Sequence, residues 1–211
     1  MAAVSAAKEA ILKKIRQALS NPVPLPFPQS EGTHTVYQPA GDDDAIIFAE
    51  EFTKLQGKFA FCENEKDLQT QLAILIQLQG WTKIYCREPA LQALLGNVNI
   101  TSYNNLPDCD VSVTGCEYLI ARTGSIVLSS ANESGRTSSV YAPIHICIAY
   151  NSQLLFEVKD ALVFLKEKYP QNFPSFITFA TGPSRTADIE KTLVTGVHGP
   201  KEVYCFLVEA P

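Results

Sequence analysis

Short apolar segments rich in β-branched residues alternate with amphipathic segments after residue 41, and this alternation constrains the fold most strongly. The apolar segments have the length of strands, and the amphipathic ones repeat with the period of a helix. Residues 125–129 and 144–149 are almost entirely apolar, which is typical of strands buried on both faces. Strands that alternate with helices form mainly parallel sheets. The sequence therefore predicts an α/β fold in which a mainly parallel sheet is flanked by helices.

The predicted elements follow one another without an internal repeat. Helices are expected at residues 43–56, 66–78, 89–95, 157–168 and 187–194. Strands are expected at residues 58–62, 83–86, 98–101, 111–114, 125–129, 144–149, 175–180 and 202–208.

The first 40 residues have a different pattern. Residues 5–20 place Ile11, Leu12 and Ile15 at helical spacing, which predicts an amphipathic helix. The prolines that follow exclude a helix or a central strand and predict an extended tether; they are Pro22, Pro24, Pro26 and Pro28. The helix could pack on its own domain, on a second copy or on a different protein. The predicted organisation is a helix and tether in residues 1–40 and an α/β domain in residues 41–211.

Composition and charge exclude several classes of protein. The 17 Lys and Arg against 22 Asp and Glu give a net charge of −5, which argues against nucleic acid or an anionic membrane as the main partner. There is no apolar stretch of about 18 residues and no signal-peptide pattern, so we expect no membrane span and a cytoplasmic location.

The 6 cysteines contain no C-x-x-C pair, and this spacing predicts neither a zinc site nor an iron–sulfur cluster in this chain. Four of them lie in predicted strands: Cys62, Cys86, Cys147 and Cys205. We expect the cysteines to be core thiols in a reducing compartment, and the alternative is a redox or metal-binding role.

The segment from Gly115 to Ser125 lies between two predicted strands and is the first candidate site. Glu117 is a candidate general base or nucleophile, or it begins a short helix and interacts with its dipole. The turn formed by Thr123, Gly124 and Ser125 could bind a phosphate or carboxylate through backbone N–H groups.

The polar stretch 129–139 and the strand after it form the second candidate. Arg136 suits bidentate binding of a carboxylate or phosphate, although the stretch could equally be an exposed hairpin loop. His145 begins an apolar strand, where it is an acid–base group, a metal ligand or a hydrogen-bonded structural residue.

The third candidate is residues 181–190, which follow a predicted strand and precede a predicted helix. Gly182, Ser184, Arg185 and Thr186 would then lie at a helix N-terminus, which is a ready anion site, or the hydroxyls would simply cap the helix. His198 lies in the glycine-rich loop 196–200 and could face the same crevice.

Taken together, these segments resemble the LUD-domain family of lactate utilization protein C over roughly residues 40–208. The resemblance implies a fold similar to the superfamily of ribose-5-phosphate isomerase, glucosamine-phosphate isomerase and CoA-transferase. It also implies a role in oxidising L-lactate to pyruvate together with two iron–sulfur partner subunits. Many relatives carry glutamate where this chain has Arg122, and arginine there favours an anionic ligand.

The leading hypothesis is an accessory or substrate-binding subunit of a lactate-oxidising complex, which could also form a homo-oligomer. In it, Arg136 and Arg185 clamp a small carboxylate, and Glu117, His145 or His198 transfers a proton. The iron–sulfur clusters would belong to the partner subunits, and this chain would carry no cofactor. One alternative is an independent enzyme that acts on a sugar phosphate or an acyl-CoA through Glu117. Another is an assembly protein that docks through its N-terminal helix and has no ligand of its own.

Overall fold

A computed structural model describes residues 6–20, 43–98, 100, 102–189 and 192–209. The chain divides into two units, Met1–Ala40 and Gly41–Pro211. The first unit contains helix α1 (Ala6–Leu19), which confirms the predicted N-terminal helix. The predicted proline-rich tether lies outside the described residues.

The second unit contains the remaining elements. Its helices are α2 (Asp44–Lys54), α3 (Glu65–Gln79), α4 (Pro89–Gly96), α5 (Ser138–Tyr141) and α6 (Val158–Lys168). Its strands are β1 (Lys58–Cys62), β2 (Ile84–Cys86), β3 (Val111–Thr114), β4 (Tyr118–Ile120), β5 (Ser125–Ser129), β6 (Ile144–Tyr150), β7 (Leu154–Leu155), β8 (Ile177–Ala180), β9 (Arg185–Ile189), β10 (Thr192–Thr195) and β11 (Glu202–Val208). Short 3-10 helices lie at Leu106–Asp108, Ala121–Thr123 and Asn151–Gln153.

Local signals in the sequence set the ends of helix α3. The Asn64 side chain accepts hydrogen bonds from the N–H groups of Lys66 and Asp67, which have no partner within the helix. The helix ends at Gly80, whose φ of 70° is in the left-handed region that glycine adopts without steric cost. The predicted helix at residues 66–78 is therefore confirmed to within a residue at each end.

Five strands form a parallel sheet in the order β1–β11–β6–β3–β2. Side chains along β6 alternate between the two faces, with Ile146 and Ile148 in one core and Cys147 and Ala149 in the other. Burial of both faces is the reason that this strand is apolar throughout. The prediction of a mainly parallel sheet flanked by helices is confirmed.

Helices and a second sheet cover the two faces of the parallel sheet. On one face, Leu72 of α3 and Leu94 of α4 belong to the same core as Ile146. On the other face, Phe48 and Phe52 of α2 pack in a core with residues of the second sheet.

The second sheet has the order β7–β4–β5–β8 and is mainly antiparallel. Its outer face is covered by α6, whose Ala161 and Leu165 are buried with Ile120 and Val127. The sequence pattern does not distinguish this sheet from the first, because β4 and β7 have only 3 and 2 residues and show no clear alternation.

The predicted helix at residues 187–194 is wrong. Strands β9 and β10 form an antiparallel hairpin in which Thr186 is opposite Val194 and Arg185 is opposite Thr195. This part of the chain is rich in threonine, valine and isoleucine, which favour strands over helices. Since no helix begins at Arg185, the anion site that we expected at a helix N-terminus is not formed there.

The predicted strand at residues 98–101 is only partly described. Val98 lies in a turn and Ile100 has no regular structure, whereas Asn99 and Thr101 are outside the described residues. Instead, Tyr103 forms an isolated parallel bridge with Tyr85 of β2, the strand at the edge of the sheet.

All 6 cysteines are buried free thiols. Four lie in strands, as predicted, and burial raises the pKa of Cys62 to about 12 and of Cys86 to about 11.

Within the described ranges, no helix is long and apolar enough to cross a membrane.

Candidate functional site

A cavity of about 250 Å³ lies beside the start of β6, and we call it the histidine cavity. Its wall combines residues of α5 and β8, residues near the start of β6 and β11, and the segments that follow β8 and precede β11. The lining residues are Ser139, Val140, His145, Thr178, Ala180, Thr181, Gly182, Pro183, Ser184, His198, Gly199, Pro200 and Val203. Four predicted site residues, His145, Gly182, Ser184 and His198, are therefore brought together from three separate parts of the sequence.

His145 lines this cavity and is almost completely buried, with 1% of its surface exposed. Its Nε2 atom lies 2.8 Å from the Thr114 hydroxyl, which in turn donates a hydrogen bond to the Gly115 carbonyl oxygen. A hydroxyl that donates elsewhere accepts from the ring, so we assign the proton to Nε2. Burial lowers the pKa of His145 to about 4. The imidazole is thus uncharged at neutral pH.

His198 has a different setting in the same cavity. It is exposed and lies on the loop that connects β10 with β11. The backbone of this loop is tied to the opposite wall, since Ser184 N–H donates to the Pro200 carbonyl oxygen and Gly196 N–H donates to the Ser184 carbonyl oxygen, both at 2.9 Å.

A chain of hydroxyl groups links the first candidate segment to the histidine cavity. The Ser125 hydroxyl lies 2.7 Å from that of Thr123 and 2.8 Å from that of Thr181, which lines the cavity. Thr123 and Ser125 are thereby placed behind the wall of the cavity and not on its surface.

Two predicted ligand-binding glycines pack against the C-terminal part of helix α2. Gly124 has a φ of 57°, and a Cβ there would collide with the backbone N of Phe52. Gly182 has a φ of 75°, and a Cβ there would lie 2.5 Å from the Leu55 carbonyl oxygen. Both positions require glycine for the left-handed backbone and for close approach to α2.

A wider cavity of about 450 Å³ adjoins the histidine cavity and shares Val140, His198 and Gly199 with it; we call it the outer cavity. It is also lined by Lys201, which immediately precedes β11 and is not among the predicted site residues. The sequence feature that could have identified Lys201 is its position directly before the last predicted strand, next to the loop that contains His198.

The two arginines proposed as a clamp lie elsewhere. Arg136 is exposed, donates to the Ser175 hydroxyl at 2.5 Å and stacks over the ring of Phe176. Arg185 is exposed on the β9–β10 hairpin, beside Thr186. Neither arginine nor Thr186 is among the residues that line the histidine cavity. Arg122 is paired with Glu157, with 2.9 Å between Nε and Oε1.

Glu117 is held in a separate buried cluster. It precedes β4, so the alternative that it begins a helix is wrong. Its fully buried carboxylate accepts hydrogen bonds from Lys168 Nζ at 2.8 Å, from the Ser129 hydroxyl at 2.5 Å and from the Tyr169 hydroxyl at 3.0 Å. Burial lowers the pKa of Lys168, but the hydrogen bond and charge of Glu117 outweigh this effect, so the pKa is raised overall. These contacts match a structural ion pair better than an accessible base or nucleophile.

No group of three or more His, Cys, Asp or Glu side chains within the described part of the chain is arranged to hold a metal ion.

The parallel sheet, the second sheet packed on it and the helices that cover them define an α/β protein with a cavity at the junction of the two sheets. The LUD domain model matches residues 97–208, and the chain belongs to this family.

Lactate utilization protein C of Bacillus licheniformis is 34% identical over 119 residues, which are 56% of this chain and 48% of the relative. The protein of the same name from Halalkalibacterium halodurans is 38% identical over 101 residues, covering 47% of this chain and 44% of the relative. The matched part thus spans about half the length of these curated relatives.

The fold is similar to the crystal structure of a DUF162 family protein from Deinococcus radiodurans, with a TM-score of 0.59 and 18% identity. The match covers 79% of this chain and 98% of that one. The likeness to the isomerase and CoA-transferase superfamily stays a prediction.

Proposed function

We propose that this chain acts in lactate utilization as an accessory, substrate-binding subunit that holds a small carboxylate where the histidine cavity meets the outer cavity. Membership of the LUD domain family and the names of the curated relatives support the role. The observation that carries the ligand site is the meeting of His145, Ser184 and His198 around one cavity.

The chemistry of the wall suits a small anion with a hydroxyl or keto group. Lys201 and the exposed His198 lie together on the outer cavity, where a cation favours a carboxylate. The hydroxyls of Thr181 and Ser184 and the uncharged imidazole of His145 provide neutral hydrogen-bonding groups further in. In this proposal His198 transfers the proton, because Glu117 is enclosed by Lys168 and two hydroxyl donors.

Oxidation of lactate also requires a path for electrons. We assign that path to iron–sulfur partner subunits, since the cysteine spacing of this chain lacks the pattern that holds such clusters. A cytoplasmic location belongs to the same proposal and is supported by the free state of the 6 buried cysteines.

Calorimetric titration of the purified chain with L-lactate, pyruvate, a sugar phosphate and coenzyme A tests the proposal. We expect L-lactate or pyruvate to bind and Lys201→Gln to weaken that binding about tenfold, because a charge-assisted hydrogen bond is lost. Lys159→Gln is the matched control, since Lys159 is an exposed lysine on helix α6 and should leave the affinity unchanged. Arg185→Ala tests whether the hairpin arginine also reaches the ligand.

The other outcomes distinguish the remaining hypotheses. Binding of the sugar phosphate or coenzyme A alone would favour an independent enzyme. Absence of binding by all four compounds would contradict the substrate-binding role and favour an assembly protein.

A further inference from the structure

A third cavity, of about 420 Å³, lies at the carboxyl ends of β2, β3 and β6, and we call it the carboxyl-edge cavity. It shares no lining residue with the histidine cavity. The two cavities lie at opposite ends of β6, with His145 near the start and Tyr150 at the end, about 17 Å apart along the strand at roughly 3.3 Å per residue. Ligands of open α/β sheets bind at the carboxyl ends of the parallel strands, so this position is itself informative.

The cavity combines an apolar wall with a polar rim. Leu91 and Leu94 of helix α4 and Ile148 of β6 form the apolar part, and all three are buried. The polar part includes Glu88, which follows β2, and Glu65, which begins α3 after β1. A wall of this kind matches a ligand that has both an aliphatic part and a polar head.

Glu88 is fixed in place by hydrogen bonds to only one of its two carboxylate oxygens. Oε1 accepts from the Gly115 N–H at 2.8 Å and from the Ser134 hydroxyl. Oε2 lies where a Cβ on residue 115 would come within 2.8 Å of it, so glycine there lets the carboxylate sit against the end of β3. Oε2 makes no hydrogen bond to the described residues and can accept one from a ligand.

Hydrogen bonds also fix the side chains of Tyr150 and Gln153 in another part of the rim. The Tyr150 hydroxyl donates to Glu65 Oε1 at 2.7 Å. The Gln153 side chain accepts from the Tyr150 N–H at 2.8 Å and donates to the Cys116 carbonyl oxygen at 2.6 Å. Burial and the neighbouring Glu65 raise the pKa of Tyr150 to about 12, so this phenol stays a donor at neutral pH. The other carboxylate oxygen of Glu65 makes no hydrogen bond to the described residues.

The charges of the wall select the ligand. It contains two carboxylates, and none of the described residues that line it is a lysine, an arginine or a histidine. Phosphates and carboxylates are therefore disfavoured, whereas an ammonium group gains charge-assisted hydrogen bonds. We propose that the carboxyl-edge cavity binds a small aliphatic amine, whose ammonium group donates to Glu88 and whose carbon chain lies against Leu91, Leu94 and Ile148. This site is independent of the carboxylate site proposed above, which has the opposite charge preference.

Four probes with the same number of carbon atoms separate charge from hydrophobic contact: 1,4-diaminobutane, butylamine, 1-butanol and butanoate. Each is titrated into the full chain at neutral pH while amide chemical shifts are followed by NMR. We expect the two amines to bind and to shift the amides of Glu88, Gly115 and Cys116, and butanoate to cause no shift there. Glu88→Gln should weaken amine binding by about tenfold, because it removes the charge and keeps the acceptor for Gly115.

Two further variants keep the result interpretable. Glu167→Gln, at an exposed carboxylate of helix α6, is the matched control and should bind the amines as the unmodified chain does. Ala93→Phe fills the cavity from the exposed side of α4 without changing a buried residue and should abolish the shifts. The proposal is overturned if neither amine binds, if butanoate binds equally well, or if Glu88→Gln and Ala93→Phe leave amine binding unchanged.

Discussion

Burial determines the chemistry of His145, which the sequence shows only as a histidine at the start of an apolar strand. Its side chain is enclosed and has Thr114 as hydrogen-bond partner, and burial lowers its pKa from 6.5 to about 4. The folded protein therefore holds the neutral ring at a pH where the unfolded chain takes up a proton. His145 is suited to orient a ligand, whereas His198, on the wall of the same cavity, is exposed to solvent.

Because His145 is neutral in the folded protein, the free energy of unfolding should decrease when the pH is lowered. Between about pH 6.5 and about pH 4 the unfolded state binds one proton more than the folded state, so the free energy of unfolding decreases as the pH is lowered. A difference of about 2.5 pKa units corresponds to about 3 kcal/mol in total. Urea unfolding of the unmodified chain and of His145→Gln at pH 7 and pH 4.5 measures this, because all other carboxyl and histidine contributions are common to both. Parallel pH dependences of the two proteins would contradict the assignment.

At the scale of elements, the ion pair of Glu117 and Lys168 joins the start of β4 to the end of helix α6. The Tyr169 hydroxyl and the Ser129 hydroxyl complete the set of donors around the carboxylate. Ala161 and Leu165 of the same helix are buried on the outer face of the second sheet. One polar and one apolar attachment thus hold α6 against this sheet.

Lys168→Met should destabilise the protein, since it leaves a fully buried carboxylate without its cation. The lysine side chain is 49% exposed, so we expect a loss of about 1–3 kcal/mol, below that of a fully enclosed pair. Lys166→Met, in the same last turn but exposed, should change the free energy of unfolding by less than about 0.5 kcal/mol. Equal unfolding midpoints in urea for the two variants would show that the ion pair does not hold the helix.

At the scale of the whole molecule, the buried apolar residues form three clusters. All members of these clusters, including the partly buried residues packed against them, lie between Ala45 and Val208. The second unit thus contains all the hydrophobic clusters found in the described part of the chain.

Removal of residues 1–40 should therefore leave a protein that unfolds cooperatively. We expect its Tm to lie within about 3 °C of that of the full chain, which corresponds to less than about 1 kcal/mol for a domain of this size. Calorimetry and circular dichroism of the two chains provide the measurement. A broad transition or a much lower Tm would show that the first unit contributes to the core.

The sequence was sufficient to predict the parallel sheet, its helical covering and the positions of four strand cysteines, because hydrophobic period and cap residues are local properties. It also singled out His145, Gly182, Ser184 and His198, which line one cavity in the structure, because each lies near the end of a predicted strand or in a glycine-rich loop. The family could be predicted from the order of these segments and was then shown by the match over residues 97–208.

Only the tertiary structure decided which of these residues share a site. It joined His145 to residues 181–184 and 196–200, directed Glu117 toward Lys168, and placed Arg136 against Phe176. It also turned residues 187–194 from a predicted helix into part of a hairpin and revealed the carboxyl-edge cavity around Glu88. The physical reason is that periodicity and capping depend on neighbours along the chain, whereas burial, ion pairing and the walls of a cavity depend on segments that are distant in the sequence and meet only when the chain folds.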